Sequence, residues 1–415
     1  MDQGEVVPAD AASPGIRILW SSNSPLCSSG YAGQTRLFVP RLIKLGHVVQ
    51  VFAWYGVEGS ILNWEGINLL PKYQEPYGQD ITGAHAQGMR ADIVLTLIDA
   101  WVLQPQNYNG IPWVGWAPVD HDPIPPLVAE KLKEAFAPIA YSKFGEVKMR
   151  EAGLEPMYVP HGIETGVFKP KPRLEARKAL GMPTDRFVCG MVAANTGWPS
   201  RKAIPEVMAA FARFRRKHDD ALLYLHMRDG AGAMPGTAPN VDVHRIAAQY
   251  GLRIGQDVLV CEQYKYIVGA YPDEHMVNVF NSLDVLVNPS LGEGFGLTIL
   301  EAQSCGTPVI VGDWTSMSEL CFSGWMIPKE EAAEVWSAQN SLQWVARVGA
   351  IAERMKWAYQ AAGDESLREK ARAGALLYDA DTVTAEYWKP ALDTIAVRLA
   401  ERNAPKMVAG PLVAE

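Results

Sequence analysis

Five cysteines in 415 residues, scattered at Cys27, Cys189, Cys261, Cys305 and Cys321, form no Cys-x-x-Cys pair and leave one thiol over. A disulfide framework or a zinc ribbon is therefore not expected, and a reducing, cytoplasmic location is. Long hydrophobic runs are also missing. The apolar stretches within Asp284–Pro289 and Thr307–Gly312 are strand-sized, far short of the roughly 20 residues that span a bilayer. Met1–Ser13 lacks both a basic start and an apolar core, so it predicts a disordered tail and not a secretory signal, and 403–415 predicts a second tail. Positive charge is in deficit: 38 Lys and Arg face 46 Asp and Glu, a net charge of −8, with most of the acidic excess in residues 1–165. That weighs against a nucleic-acid groove and against anionic membrane surfaces. Ser22–Gly33 offers no Gly-x-Gly-x-x-Gly after the first strand, which excludes the usual nicotinamide fingerprint. Gly and Pro, at 36 and 29, are too few for low complexity.

What is present is alternation of short buried strands with amphipathic helices. Arg17–Trp20, Val48–Trp54, Ile93–Ile98, Trp113–Ala117, Ile139–Tyr141 and Met157–Val159 read as strands of a first α/β unit, with a helix over Gly30–Gly46. Phe168–Arg173 combines two prolines with three cations and predicts a linker. Phe187–Ala193, Ala221–His226, Val258–Cys261, Val285–Asn288 and Pro308–Val311 repeat the pattern beyond it. The length exceeds what one core usually fills, so two domains are expected, at 14–168 and 169–380, with a helix over 381–402 packing back on the first. The fold class is α/β, two doubly wound Rossmann-like domains facing across a cleft.

The most informative run is Asn288–Ala302: strand, glycine-rich loop, helix. Gly292, Gly294 and Gly296 allow close backbone approach, and the helix starting near Gly296 turns free N–H groups and its positive dipole end to the same space. Glu293 and Glu301 flank this anion cradle. Carboxylates beside a phosphate must face something else, and hydroxyl groups are natural donors to them, so a nucleotide sugar fits. A plainer reading makes the glycines a tight turn and Glu301 a solvated helix residue. Asn195–Lys202 follows the first strand of the second unit, where Arg201 and Lys202 are placed to reach a diphosphate.

With seven residues between its two glutamates, Glu293–Glu301 resembles the retaining glycosyltransferases of family 4, and residues 271–320 carry the strongest likeness. Weaker likeness extends to Gly30, to Leu45–Val51 and to Val159–Ile163. The resemblance implies the GT-B fold and a hexosyltransferase that needs no metal or cofactor beyond its nucleoside-diphosphate sugar, with uridine or guanosine as the base. It implies a donor site of Gly30, Asn195, Arg201, Lys202, Glu293, Gly294, Phe295, Gly296, Leu297 and Glu301, with Glu301 on the ribose and Glu293 by the sugar hydroxyls. The loop before Arg201 departs from the family form, with Ala194-Asn195-Thr196 and Lys202-Ala203 in place of Gly-Arg-Leu and Lys-Gly.

Asp120-His121-Asp122 closes another strand of the first unit and admits a metal site, an acid/base group or mere polar loop ends. The resemblance favours Asp120 or His121 beside the acceptor and the transferred sugar. His161 reads as structural. Trp101, Trp113 and Trp116 lie near the inferred cleft, as core residues or as a stacking surface. The acceptor is expected to be a saccharide or another small hydroxyl compound, with modified DNA bases, lipid and protein side chains as alternatives. A glycosidase would need its carboxylates across a scissile bond, about 5–9 Å apart; a non-catalytic nucleotide-sugar-binding protein would hold the donor without turnover.

Overall fold

Fully buried runs such as Ile18-Leu19-Trp20 and Ile93–Leu97 need both faces covered, which a parallel sheet between helix layers provides. The structure, a computed structural model, describes residues 15–197, 199–230 and 240–404; the tail expected at 1–13, and all but two residues of the one expected at 403–415, lie outside them. The first sheet contains β1 (Arg17–Asn23), β2 (Val48–Glu58), β3 (Leu62–Trp64), β4 (Ile67–Lys72), β5 (Ile93–Leu97), β6 (Trp113–Ala117), β7 (Ala137–Ala140) and β8 (Met157–Tyr158), in the order β3-β4-β2-β1-β5-β6-β7-β8. The second contains β9 (Phe187–Val192), β10 (Ala221–His226), β11 (Val258–Val260), β12 (Val285–Asn288), β13 (Val309–Gly312) and β14 (Gly324–Ile327), in the order β11-β10-β9-β12-β13-β14.

From β4 to β7 the first sheet has the neighbour sequence of the second, the doubly wound order of a Rossmann domain, although no sequence repeat relates the halves. In each sheet the chain order reverses beside the first strand, between β1 and β5 and between β9 and β12. Crevices open there at the carboxyl ends of the strands, and each site loop leaves from such an end.

Two elements depart from the expected parallel pattern. β3 pairs antiparallel with β4 at the edge of the first sheet. A separate antiparallel hairpin, β15 (Ala332–Trp336) with β16 (Leu342–Ala346), belongs to neither sheet. Neither shows a readable period: β3 has three residues, and β15 is mostly solvent-facing.

The stretch expected as a linker is held fast. The Ser304 hydroxyl and the Arg372 guanidinium both donate to the Phe168 carbonyl, at 2.5 and 2.7 Å, and the Lys171 N–H donates to Asn281 Oδ1 at 2.7 Å. A second crossing returns through residues 379–388. Arg41 pairs with Asp381 at 2.8 Å, and the fully buried Trp388 ring lies 5.8 Å from Trp20, 5.8 Å from Phe38 and 4.8 Å from Trp116. The last helix, Lys389–Asn403, then runs along the first domain, where Arg402 donates to the Gly110 carbonyl. Trp388 thus completes the first domain's core from the far end of the chain. Trp388→Ala is expected to lower stability by about 3–5 kcal/mol in urea titration, with Trp388→Phe recovering most of the loss.

Candidate active site

Three strand ends converge on one cavity of about 920 Å³ between the two sheets. β1 runs into Asn23–Ser29 and the helix Gly30–Lys44; β9 into the loop carrying Arg201 and Lys202; β12 into Ser290–Gly296 and the helix Leu297–Ser304. Ser29 caps the first helix by accepting from the Ala32 N–H at 3.1 Å. Gly296, at φ +111°, starts the other helix in a conformation suited to glycine. A Cβ on Gly30 would lie 3.1 Å from the Leu297 side chain, so the two helix N-termini meet across the cleft. Both positive dipole ends face the same space.

The other two loop glycines serve a different purpose from the one the sequence suggests. A Cβ at Gly292 would sit 2.0 Å from the Asp120 carbonyl oxygen, and one at Gly294 would meet Pro118 and Tyr141 at 2.8 Å. They admit the neighbouring domain. Only Gly294 and Gly296 of the three also line the cavity.

At the cavity floor Glu293 is 6% exposed and carries most of the site's charge pairing. Lys202 Nζ and the Ser290 hydroxyl donate to its Oε1 at 2.5 and 2.6 Å, and Arg201 Nη1 lies 3.7 Å from its Oε2. Burial pushes the Glu293 pKa up, but the Lys202 and Arg201 charges outweigh it and hold the carboxyl below its ordinary range. Lys202 is lowered by burial and by Arg201, against the pull of Glu293. Arg201 also donates to the Gly292 carbonyl at 2.8 Å and lies 3.8 Å from Asp120.

On the first domain's side Asp120 Oδ1 lies 2.7 Å from His121 Nδ1, with His121 only 3% exposed. Burial works against the Asp120 anion, yet the His121 hydrogen bond and the Arg201 charge hold its pKa below normal. Asp99, which the sequence reading missed, lines the same cavity, and burial together with Asp120 raises it to about 6. Its signal was available: it stands just past the buried run Ile93–Ile98, at a strand's carboxyl end. His161, read as structural, also lines the cavity; its Nδ1 is buried without a partner, and burial holds its pKa well below normal.

The structure therefore gathers Gly30, Asp120, His121, Arg201, Lys202, Glu293, Gly294, Phe295, Gly296 and Leu297 around one space. Asn195 is not among them. Its amide donates to the Arg228 and Val241 carbonyls at 2.8 and 2.7 Å and accepts from the Val241 N–H at 2.9 Å, so it pins a loop with both of its N–H groups engaged. Glu301 is not among the lining residues either; it stands one turn further along the helix from Leu297 and Thr298, which are. Burial, aided by Asp273 and opposed by Arg36, raises its carboxyl to about 8.

Comparison with known proteins follows this geometry. Residues 189–343 match the family model described as Glycosyl transferases group 1. A D-inositol 3-phosphate glycosyltransferase of Stackebrandtia nassauensis is 31% identical over 188 residues, which are 44% of this chain and 40% of that protein. Another of the same name, from Segniliparus rotundus, is 28% identical over 236 residues, 52% of this chain and 48% of that one. The chain thus spans less than half the length of these curated relatives. Among solved structures, the sucrose-phosphate synthase of Thermosynechococcus elongatus superposes with a TM-score of 0.71 at 17% identity, covering 92% of this chain and all of that one. Anabaena HepE in complex with UDP-glucose gives 0.65 at 16% identity, covering 91% and 100%. Among the described residues no helix is long and apolar enough to cross a membrane. The fold is that of the GT-B glycosyltransferases, two Rossmann-like domains about a cleft, and the segment that matches the group 1 glycosyl transferase model lies in the second domain.

Proposed function

We propose that the chain is a retaining, metal-independent hexosyltransferase of glycosyltransferase family 4, moving a hexose from a nucleoside-diphosphate sugar to a hydroxyl acceptor. The observation that carries this reading is the meeting of two helix N-termini, Arg201 and Lys202 in one cavity with Glu293 and Asp120. Cations and helix dipoles serve a diphosphate, while carboxylates serve sugar hydroxyls. The UDP-glucose bound by HepE supports the donor class. The names of the inositol-phosphate and sucrose-phosphate enzymes support a small polyol or sugar acceptor over DNA.

In this reading the diphosphate lies against Gly30 and Gly296, with Arg201 and Lys202 on its oxygens. The bond between the anomeric carbon and the phosphate oxygen breaks, and the nucleoside diphosphate leaves with the electron pair. The acceptor oxygen attacks from the same face, and its proton passes to the departing phosphate oxygen. Lys202 relaxes its hold on Glu293 as the leaving group gains charge, and Glu293 accepts from the sugar hydroxyls. Asp120, oriented by His121, accepts from a hydroxyl of the acceptor or of the transferred sugar. Glu301, lacking any hydrogen-bond or ion partner among the described residues, takes the ribose hydroxyls once it has lost its proton.

Thermal-shift titration with UDP-glucose and GDP-mannose, then proton NMR of the product's anomeric configuration with and without EDTA, tests this reading. A donor-dependent rise in melting temperature and an α-linked product unaffected by EDTA are expected; an inverted product or loss of turnover in EDTA refutes the mechanism. Arg201→Ala should leave the far-ultraviolet circular dichroism unchanged while kcat falls by about 100-fold or more.

Glu301 gives a pH dependence of definite sign. Its carboxyl binds a proton up to about pH 8, and ribose hydroxyls need the anion. Donor affinity should rise from pH 6 to 8 through this group and level off above. Glu301→Gln should remove that component, measured as the difference between wild-type and variant calorimetric titrations. Folded Glu301 retains its proton at pH values where the unfolded side chain has released it, so its burial destabilises the fold increasingly between pH 4.5 and 8. Glu301→Gln should therefore also raise the melting temperature at pH 9 while binding donor more weakly.

A further inference from the structure

The mouth of the cavity is made differently from its floor. The hairpin β15–β16 reaches across to the first domain: Asp122 N–H donates to the Leu342 carbonyl at 3.2 Å, Ser341 donates to the Pro123 carbonyl, and Gln343 approaches the Asp120 carbonyl at 3.4 Å. This carries Trp336, 63% exposed, into the cavity lining. Trp101, 44% exposed, lines the same cavity from the first domain. Trp113 and Trp116 are buried core residues, so of the three tryptophans singled out in the sequence only Trp101 offers a face. Tyr77 lies edge-on to Trp101 at 6.5 Å and Trp54 lies 5.5 Å from Tyr77, which gives this wall an aromatic backing. Trp54 also lines the cavity, with its Nε1 buried and unpartnered.

A second cavity of about 430 Å³ continues from this mouth, sharing Trp101, Ala338 and Gln339 with the first and walled by Leu127 and Val128. Its only charged lining residue among those described is Glu130. Of the cations of the main cavity, Lys202 is engaged with Glu293, and Arg201 donates to the Gly292 carbonyl and lies 3.7 Å from Glu293 and 3.8 Å from Asp120. Asp99 and Asp120 are the carboxylates that the first domain adds to this lining. Burial and Asp120 raise the Asp99 pKa against the pull of Arg201, and in the side cavity, where Glu130 is the one charged lining residue among those described, a phosphate would meet no cation.

We infer that this mouth and its side cavity form an acceptor site for an uncharged saccharide of two or more rings, stacked on Trp101 and Trp336, which rejects phosphorylated sugars. Sugar ring faces present C–H groups to aromatic faces, while Asp99 and Asp120 accept from their hydroxyls. The side cavity takes the ring beyond the reacting one. This inference rests on the nucleotide-sugar reading, and its test separates the two.

The full chain, saturated with UDP, is titrated calorimetrically with maltose, cellobiose, lactose, sucrose, glucose, glucose 6-phosphate and a single-stranded DNA 12-mer. At least one disaccharide should bind ten-fold or more tightly than glucose, and glucose 6-phosphate more weakly than glucose. Trp101→Ala and Trp336→Ala should each weaken that disaccharide ten-fold or more, with UDP affinity within two-fold of wild type. Intact UDP binding with no disaccharide bound, with glucose 6-phosphate or the 12-mer preferred, or with disaccharide affinity unchanged in both variants overturns the acceptor site and leaves the donor reading standing. Failure of the wild-type chain to bind UDP overturns the donor reading instead.

Discussion

The site depends on a backbone contact too close for any side chain. Gly292 lies against the Asp120 carbonyl, and that approach brings two loops from separate sheets into one cavity. Asp120, Arg201 and Glu293 then share one electrostatic cluster, with Arg201 between the two carboxylates. Neither sheet alone contains it. The first contributes Asp99, Asp120 and a helix end, and the second both cations, Glu293 and another helix end. Chemistry that needs all of these is possible only where the loops touch, so the domain contact is part of the site and not merely its support.

The cluster is held in tension between burial and charge. Removing a carboxylate from water raises its pKa, and at Glu293 two adjacent cations reverse that effect. At Glu301 only a distant Arg36 opposes burial, and the carboxyl keeps its proton to about pH 8. Two glutamates with seven residues between them therefore sit in opposite protonation states near neutral pH. Such a divergence is expected where one group is already partnered and the other waits for donors that a ligand brings.

Much of this was legible in the sequence, for identifiable reasons. Parallel strands buried on both faces appear as short apolar runs, so β1, β5, β9 and β12 could be read directly. The loop before the helix Leu297–Ser304 announced itself through its glycines and its acids. What stayed hidden was the partner of each residue. Asn195 and Arg201 stand in one loop, but only the structure shows the first satisfied by Val241 and the second turned to Glu293. Gly292 looked like ligand space because the Asp120 carbonyl lies 172 positions away in the chain. Asp99 does not stand out in the sequence, because its relation to Asp120 exists only across the sheet. The hairpin β15–β16 has too little alternation to be seen, yet it closes the mouth.

The hairpin also sets what any opening of the cleft must break. Its pairing with Asp122 and Pro123 joins the second half of the chain to the first directly over the cavity. Any opening that widens the cleft on this side has to break those hydrogen bonds, whose groups can pair with water once exposed, so the net penalty is about 1 kcal/mol each. The Gly292–Asp120 contact opens at smaller loss still, being a close approach without a hydrogen bond of its own. On the opposite side the domains are tied by Trp388 in the first core and by Phe168 held between Ser304 and Arg372, contacts that are apolar or deeply buried and far harder to part. The weak seam lies on the cavity side and the strong one behind it. A cleft built this way opens about its back, widening at the mouth without disturbing the core that Trp388 completes.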